Sequence, residues 1–353
     1  MSTQRRPSSV HVTSFHFQSH RSISSQLFSS PKTKDGKFQD DLNHAMHLVQ
    51  SHDPAGYLPG RLLPTRSMQV AYYAVRSFWV ETGLRFGSTA MVPPNSTPAQ
   101  HLEWWMQGIE LLYTSRNEPG SELPSDYHHP TLRLLKYLME QENIQFTKCH
   151  FDDILKGRRR DLDLKQYPDL ASLEEHAVWS CGSLAQLVLE SQGLMEHTNA
   201  LKAHEAARLV GTCHGLTNAL RTSIPVVSTT GKLIIPHDLC VKYGVKSPRY
   251  LLSALGQGDA NCIQALRNAV RDIVESARDH LQRARNLRPE IVNEPGGREA
   301  VAVLLPGLAS EAFLNRLEQL NFDLTNRDLR HVNFLEHTKC SCRMILAAYQ
   351  GKY

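Results

Sequence analysis

Residues 215–227 read GLTNALRTSIPVV. The stretch closes a helical segment expected over 199–222. Pro225 lacks an amide donor and disfavours helix at Ile224, so the helix is expected to stop just before it. Acid is missing throughout the neighbourhood: no Asp or Glu occurs from Ala206 to His237, and none from Pro54 to Val80. Two long acid-free segments in one chain bear directly on what chemistry it can support.

Working outward, 41% apolar and 21% charged residues describe an ordinary globular chain, and 353 residues supply material for a sizeable core. The net charge of +4 comes from one end. Residues 1–34 hold Arg5, Arg6, Arg21, Lys32 and Lys34 and no acid; removing those five from 39 basic residues leaves 34 against 35 acidic ones. A nearly neutral body lacks the persistent basic face that nucleic-acid binding requires. The first 35 residues are rich in Ser and Arg, with Phe and His scattered among them. That composition predicts a mitochondrial or plastid transit peptide, or a disordered tail, over 1–35, cleaved between about 22 and 36, and a single domain over 36–353. Seven cysteines, an odd number without framework spacing, suit a reducing compartment. The longest apolar run, AVAVLLPGLA at 300–309, is too short to span a bilayer and carries Pro306 and Gly307.

The body reads as successive helices, with Pro and Gly in the connections. Helices are expected at 40–52, 66–85, 98–113, 130–141, 171–192, 199–222, 248–254, 259–286 and 310–321. Within 66–85, Val70, Tyr73, Ala74, Ser77, Val80 and Leu84 keep helical spacing. Trp104 and Trp105 read as a core-and-rim pair on an amphipathic helix. The KGRRR run at 156–160 reads as a solvated face. No alternating strand pattern and no internal repeat is present, so the fold class is all-α.

Four phrases then fall in order: LPTRSMQVAYYAVRSFWVE (63–81), FDDILKGRRRDLDL (151–164), SLEEHAVWSCGSLAQLVLESQGL (172–194) and GTCHGLTNALRTSIPVVSTTGKLIIPHDLCVKYGV (211–245). Together they resemble the squalene/phytoene synthase family over about residues 54–290. The resemblance implies an isoprenoid-synthase-like helical bundle around a central cavity. It also implies two helices that each carry an Asp-x-x-x-Asp pair. Carboxylates at i and i+4 share one helical face. Two facing helices would hold Mg²⁺ against a substrate diphosphate and stabilise it as leaving group.

Anchored on Arg66 and Tyr73, the first family pair falls on Val80 and Leu84. Anchored on Asn218 and Arg221, the second falls on Thr222 and Val226. The resemblance therefore predicts no catalytic residue, no metal and no cofactor. It leaves Arg66, Tyr73, Asn218, Arg221 and Lys232 either as structural hydrogen-bond donors in the bundle or as a vestigial anion or lipid pocket.

Within the family, DPAGYLPGRLLP (53–64), AVRSFWVE (74–81), LIIPHDLCVKYGV (233–245), EAFLNRLEQLNFDL (311–324) and the final GKY resemble a non-catalytic branch that aids assembly of mitochondrial respiratory complex I. That resemblance implies partners among complex I assembly intermediates or other assembly factors, and peripheral attachment to the matrix side of the inner membrane. The alternatives are an active Mg²⁺-dependent head-to-head prenyl diphosphate synthase and a prenyl or lipid carrier.

Overall fold

Asp53 fixes the first corner of the chain. It ends α1 (Gly36–His52), and its side chain accepts the Gly56 amide at 3.2 Å to start α2 (Pro54–Arg61), with Pro54 in the first turn where a missing donor costs nothing. The computed structural model describes residues 36–83, 96–115, 122–193, 200–292, 297–330 and 334–353. The expected targeting segment over 1–35 and the candidate residue Leu84 lie outside the described residues.

The chain continues through α3 (Arg66–Gly83), α4 (Pro98–Ser115), α5 (Pro130–Glu140), α6 (Lys148–Asp163), α7 (Leu170–Ala177) and α8 (Ser183–Glu190). A π-helical turn, Val178–Gly182, joins the last two. Then come α9 (Ala200–Thr230), α10 (His237–Tyr243), α11 (Pro248–Gln257), α12 (Ala260–Asn286), α13 (Arg288–Val292), α14 (Gly297–Leu304), α15 (Pro306–Gln319), α16 (Arg327–Arg330) and α17 (Phe334–Gln350). Among the described residues the only β pairing is an isolated bridge between Gln166 and Leu233. Residues Lys37–Tyr353 form one compact unit.

The centre of that unit is α9, which packs against α12, α15 and the α7–α8 run. Ala206, Ala207, Val210, Cys213, Leu216 and Leu220 are all buried, so the helix is enclosed on most sides. It lies unusually close to the π-helical turn. A Cβ added to Gly211 would sit 2.4 Å from the Cys181 carbonyl oxygen, and one on Gly215 would sit 2.7 Å from Ala177 Cβ. Only glycine permits this backbone-to-backbone approach.

Three expectations change. First, α9 does not stop before Pro225 but runs through it to Thr230. The imide costs one bond to the Arg221 carbonyl. Burial of Ser223 and Val227 holds the last turns in place, and the hydroxyls of Ser223, Ser228 and Thr229 bond to carbonyls one turn back. Second, the apolar segment is longer than 300–309, although the helix does break just before Pro306. Only Leu305 separates α14 from α15, and Ala300–Gln319 is long and apolar enough to cross a membrane by composition. That segment is 67% buried inside the protein, as a core helix is. Third, Trp104 and Trp105 are both core, at 8% and 0% exposure, with Trp104 stacked on Tyr127 at 5.2 Å.

Candidate functional site

A cavity of about 670 Å³ opens where α3, α6, α7 and α9 converge. On α9 its wall is Asn218, Arg221, Thr222 and Val226. Because the helix continues past Pro225, Thr222 and Val226 stand one turn apart on the cavity face, in the i, i+4 relation that a metal-binding carboxylate pair would need. A hydroxyl and an isopropyl group occupy those places, and the Thr222 hydroxyl donates to the Asn218 carbonyl at 2.8 Å.

On α3 the cavity wall is Trp79, Thr82 and Gly83. Val80, one residue on from Trp79 and therefore about 100° round the helix, is 4% exposed and packed away from the cavity. Among the described residues no carboxylate stands on this wall either. Glu81 points elsewhere, its side chain buried against His44 and His129.

Among the described residues two carboxylates reach the cavity, Asp53 and Asp161, and both are committed. Asp53 caps α2 and takes Arg76 Nε at 2.7 Å. Asp161 accepts the Tyr167 hydroxyl at 2.9 Å and lies 3.5 Å from His176 Nε2. Burial pushes the Tyr167 hydroxyl above the usual phenol range, and the Asp161 charge adds to the shift. Burial also holds the His176 imidazole below its usual range, with Asp161 opposing. The paired oxygen ligands that Mg²⁺ with a diphosphate demands are absent from the described wall, so the donor set does not fit those ions.

The cations are placed differently. Arg221 is surrounded by protein yet open to the cavity; burial holds its guanidinium below the usual arginine range, and Asp53 pulls the other way. It donates to Asn218 Oδ1 at 3.1 Å and lies 4.9 Å from the Phe313 ring centre, with no carboxylate at ion-pair distance among the described residues. Arg158 lies over the Trp79 ring at 5.0 Å and donates to the Trp79 carbonyl at 3.2 Å. Lys232 closes the C-terminus of α6, donating to the carbonyls of Asp161 at 2.5 Å and Leu162 at 3.0 Å. On a wall otherwise rich in apolar side chains, these groups suit an anion carrying an apolar tail.

Of the five residues expected in the pocket, Asn218, Arg221 and Lys232 come together. Arg66 does not. It begins α3, roughly 20 Å from Trp79 along the helix, and donates to Gln39 Oε1 at 2.8 Å on the surface. Tyr73 is 1% exposed and donates to the Tyr57 carbonyl at 2.8 Å, so it holds α2 on α3 and does not line the cavity. Arg158 was hidden in the run read as a solvated face. Lys156 and Arg159 are exposed as expected, but Arg158 follows buried Ile154 and Leu155 by one turn, a spacing that points it inward.

Residues 49–336 match the family described as squalene/phytoene synthase. The protein is 28% identical over 292 residues to "NADH dehydrogenase (ubiquinone) complex I, assembly factor 6" of Bos taurus, covering 83% of this chain and 78% of that one. It is 28% identical over 285 residues to the Drosophila melanogaster homolog, covering 80% and 77%. Among solved structures it resembles a ligand-bound dehydrosqualene synthase, with TM-score 0.65, 19% identity and coverage of 89% and 98%. It also resembles the squalene synthase HpnC of Alicyclobacillus acidocaldarius, with TM-score 0.61, 15% identity and coverage of 81% and 96%. At those identities the structural likeness concerns the fold alone. With a helical bundle around a central cavity and a family match that spans most of its length, the chain belongs to the squalene/phytoene synthase family.

Proposed function

We propose that this protein is a non-catalytic member of its family that acts in mitochondria as an assembly factor for respiratory complex I. The observation that carries the reading is the α9 wall: the i, i+4 geometry is kept, and Thr222 and Val226 fill it. Without carboxylates to gather Mg²⁺ around a diphosphate, the leaving group lacks the charge stabilisation that the metal would supply. The names of the relatives, each a complex I assembly factor, support the assembly role. In this reading the protein works on the matrix side of the inner membrane, bound to assembly intermediates or to other assembly factors, after removal of a segment within 1–35.

Membrane attachment is peripheral in this reading. The surface that supports it is α17, where Ile345, Leu346 and Tyr349 are 48%, 55% and 86% exposed, with exposed Lys352 and the Glu311-paired Arg343 nearby. Apolar side chains flanked by cations suit an anionic bilayer surface. The test of the main reading is deletion of the gene followed by native-gel profiling of respiratory complexes. Selective loss of complex I is the expected result; unchanged complex I overturns the reading. Incubation of purified protein with Mg²⁺ and farnesyl or geranylgeranyl diphosphate is expected to give no product.

A second reading concerns the cavity and is compatible with the first. Arg158 and Arg221 on a largely apolar wall support retention of an anionic lipid without turnover. Native mass spectrometry of the purified protein tests this, and a lipid-free spectrum counts against it.

A further inference from the structure

Glu81 is fully buried at 0% exposure, on the side of α3 turned away from the cavity. Three imidazoles from three different segments converge on it. His44 of α1 places Nε2 3.1 Å from Oε1, and His129, just before α5, places Nε2 3.7 Å from the same oxygen. His101 of α4 places Nε2 3.3 Å from the Glu81 carbonyl. The second carboxylate oxygen, Oε2, is buried without a hydrogen-bond partner. Arg133, the nearest candidate cation on α5, is committed to Asp41. Among the described residues no Lys or Arg pairs with Glu81.

A buried carboxylate with an unpartnered oxygen calls for a compensating positive charge or an ordered ligand. One ligand atom from each of His44, Glu81 and His129 lies within 4.8 Å of the other two. We propose that His44, Glu81 and His129 form a binding site for a divalent transition-metal ion of the zinc type, an ion that would tie α1, α3 and the start of α5 together. Two imidazoles and one carboxylate make a three-ligand set that leaves a fourth position open, and nitrogen donors favour such ions over Mg²⁺. The side chain of His44 is 28% exposed and that of His129 0%, so the ion would enter past His44. The site is separate from the cavity and uses none of its residues.

One rearrangement accompanies binding. His129 Nδ1 accepts the Thr131 amide at 3.2 Å, which places the ring proton on Nε2. A metal at Nε2 shifts that proton to Nδ1, with none lost from the ring, and the Thr131 amide contact opens. The Thr131 amide is therefore a reporter of occupancy that ordinary surface binding of metal would not move.

The test uses the full chain without an affinity tag, stripped with chelator and dialysed against Zn²⁺ alone, with Co²⁺ as a spectroscopic probe. The expected result is about one equivalent of Zn²⁺ per chain, retained when the thiols at Cys340 and Cys342 are removed by substitution to Ser. Glu81→Gln and the partly exposed His44→Gln are expected to weaken binding by about 100-fold, with helical content unchanged by circular dichroism. Hydrogen exchange at Thr131 is expected to accelerate on Zn²⁺ addition in the unsubstituted protein only. Failure to take up stoichiometric metal overturns the proposal. So does undiminished binding by both variants, or a Thr131 amide indifferent to bound Zn²⁺.

Discussion

Arg76 and Asp53 meet inside the protein with side chains 4% and 5% exposed, Nε and Nη2 both 2.7 Å from Oδ2. Burial alone would lower the Arg76 basicity, but Asp53 and Tyr72 together reverse this and hold the guanidinium above its usual range. Tyr72 extends the cluster, receiving Arg76 Nη1 at 3.1 Å and donating its own hydroxyl to the Gly56 carbonyl at 2.8 Å. Removing one partner of a buried pair strands the other. Arg76→Met is expected to cost about 3–5 kcal/mol of stability. The double variant Arg76→Met with Asp53→Asn should cost less than the two single losses combined. Urea unfolding of all four proteins measures that coupling.

Gly211 gives a steric prediction. Its missing side chain is what lets α9 touch the π-helical turn, since a Cβ there would lie 2.4 Å from a backbone oxygen that cannot turn aside. Gly211→Ala is expected to lose about 1–3 kcal/mol by forced separation of the two segments. Gly256, whose Cβ would meet nothing within 4 Å, serves as the control, and its replacement by Ala in α11 should be neutral or stabilising. Thermal denaturation distinguishes the two.

His214 supplies a pH dependence. It is 4% exposed, its Nδ1 lies 3.0 Å from the Ser310 hydroxyl, and burial pushes the imidazole down to about 4. Its folded value lies below the unfolded one near 6.5, so the unfolded chain binds more protons between the two. The contribution is therefore complete above about pH 6.5 and is lost as pH falls toward 4. At pH 5.5 the loss from this group is about 1.4 kcal/mol. His214→Gln should flatten that part of the stability-versus-pH curve.

Arg221 and Arg158 predict anion affinity without metal. Inorganic pyrophosphate should bind in the presence of chelator, and Arg221→Ala should weaken it about tenfold, or ~1.4 kcal/mol. Calorimetry checks this. Equal binding by the variant would place the anion elsewhere.

The α17 surface predicts vesicle binding. Replacing Leu346 and Tyr349 by Ser should lower co-flotation with anionic vesicles about tenfold or more, since each apolar side chain buried contributes roughly 1.5–3 kcal/mol. Melting temperature should change little, because both side chains are more than half exposed.

The helical bundle was legible because its long helices carry their own signals. Val70 to Val80 keep the 3.6-residue period over α3, and Pro130 and Pro248 stand in the first turns of α5 and α11. Pro225 misled because propensity is local, whereas the burial of Val227 that carries the helix past it comes from distant parts of the chain. The same limit applied to the site. Thr222 and Val226 were found by register from Asn218 and Arg221 on one continuous helix. Arg66 was placed in the pocket on motif alone, although its position at the start of α3 separates it from the cavity by most of the helix. Glu81 follows Val80 by one residue, so the helical period says only that it lies about 100° away from that face. The three histidines around it come from segments up to 48 residues away in sequence, and no local pattern announces such a convergence.

Lys232 carries one last consequence. Two of its three ammonium hydrogens point at the carbonyls that end α6, and the neighbouring Gln166–Leu233 bridge fastens the same strip of chain. Aspartates introduced at 222 and 226 would find this cation already committed, and the facing helix would still offer Trp79 and Gly83. A magnesium site here would therefore need changes on both helices at once, because neither wall supplies half of one among the described residues.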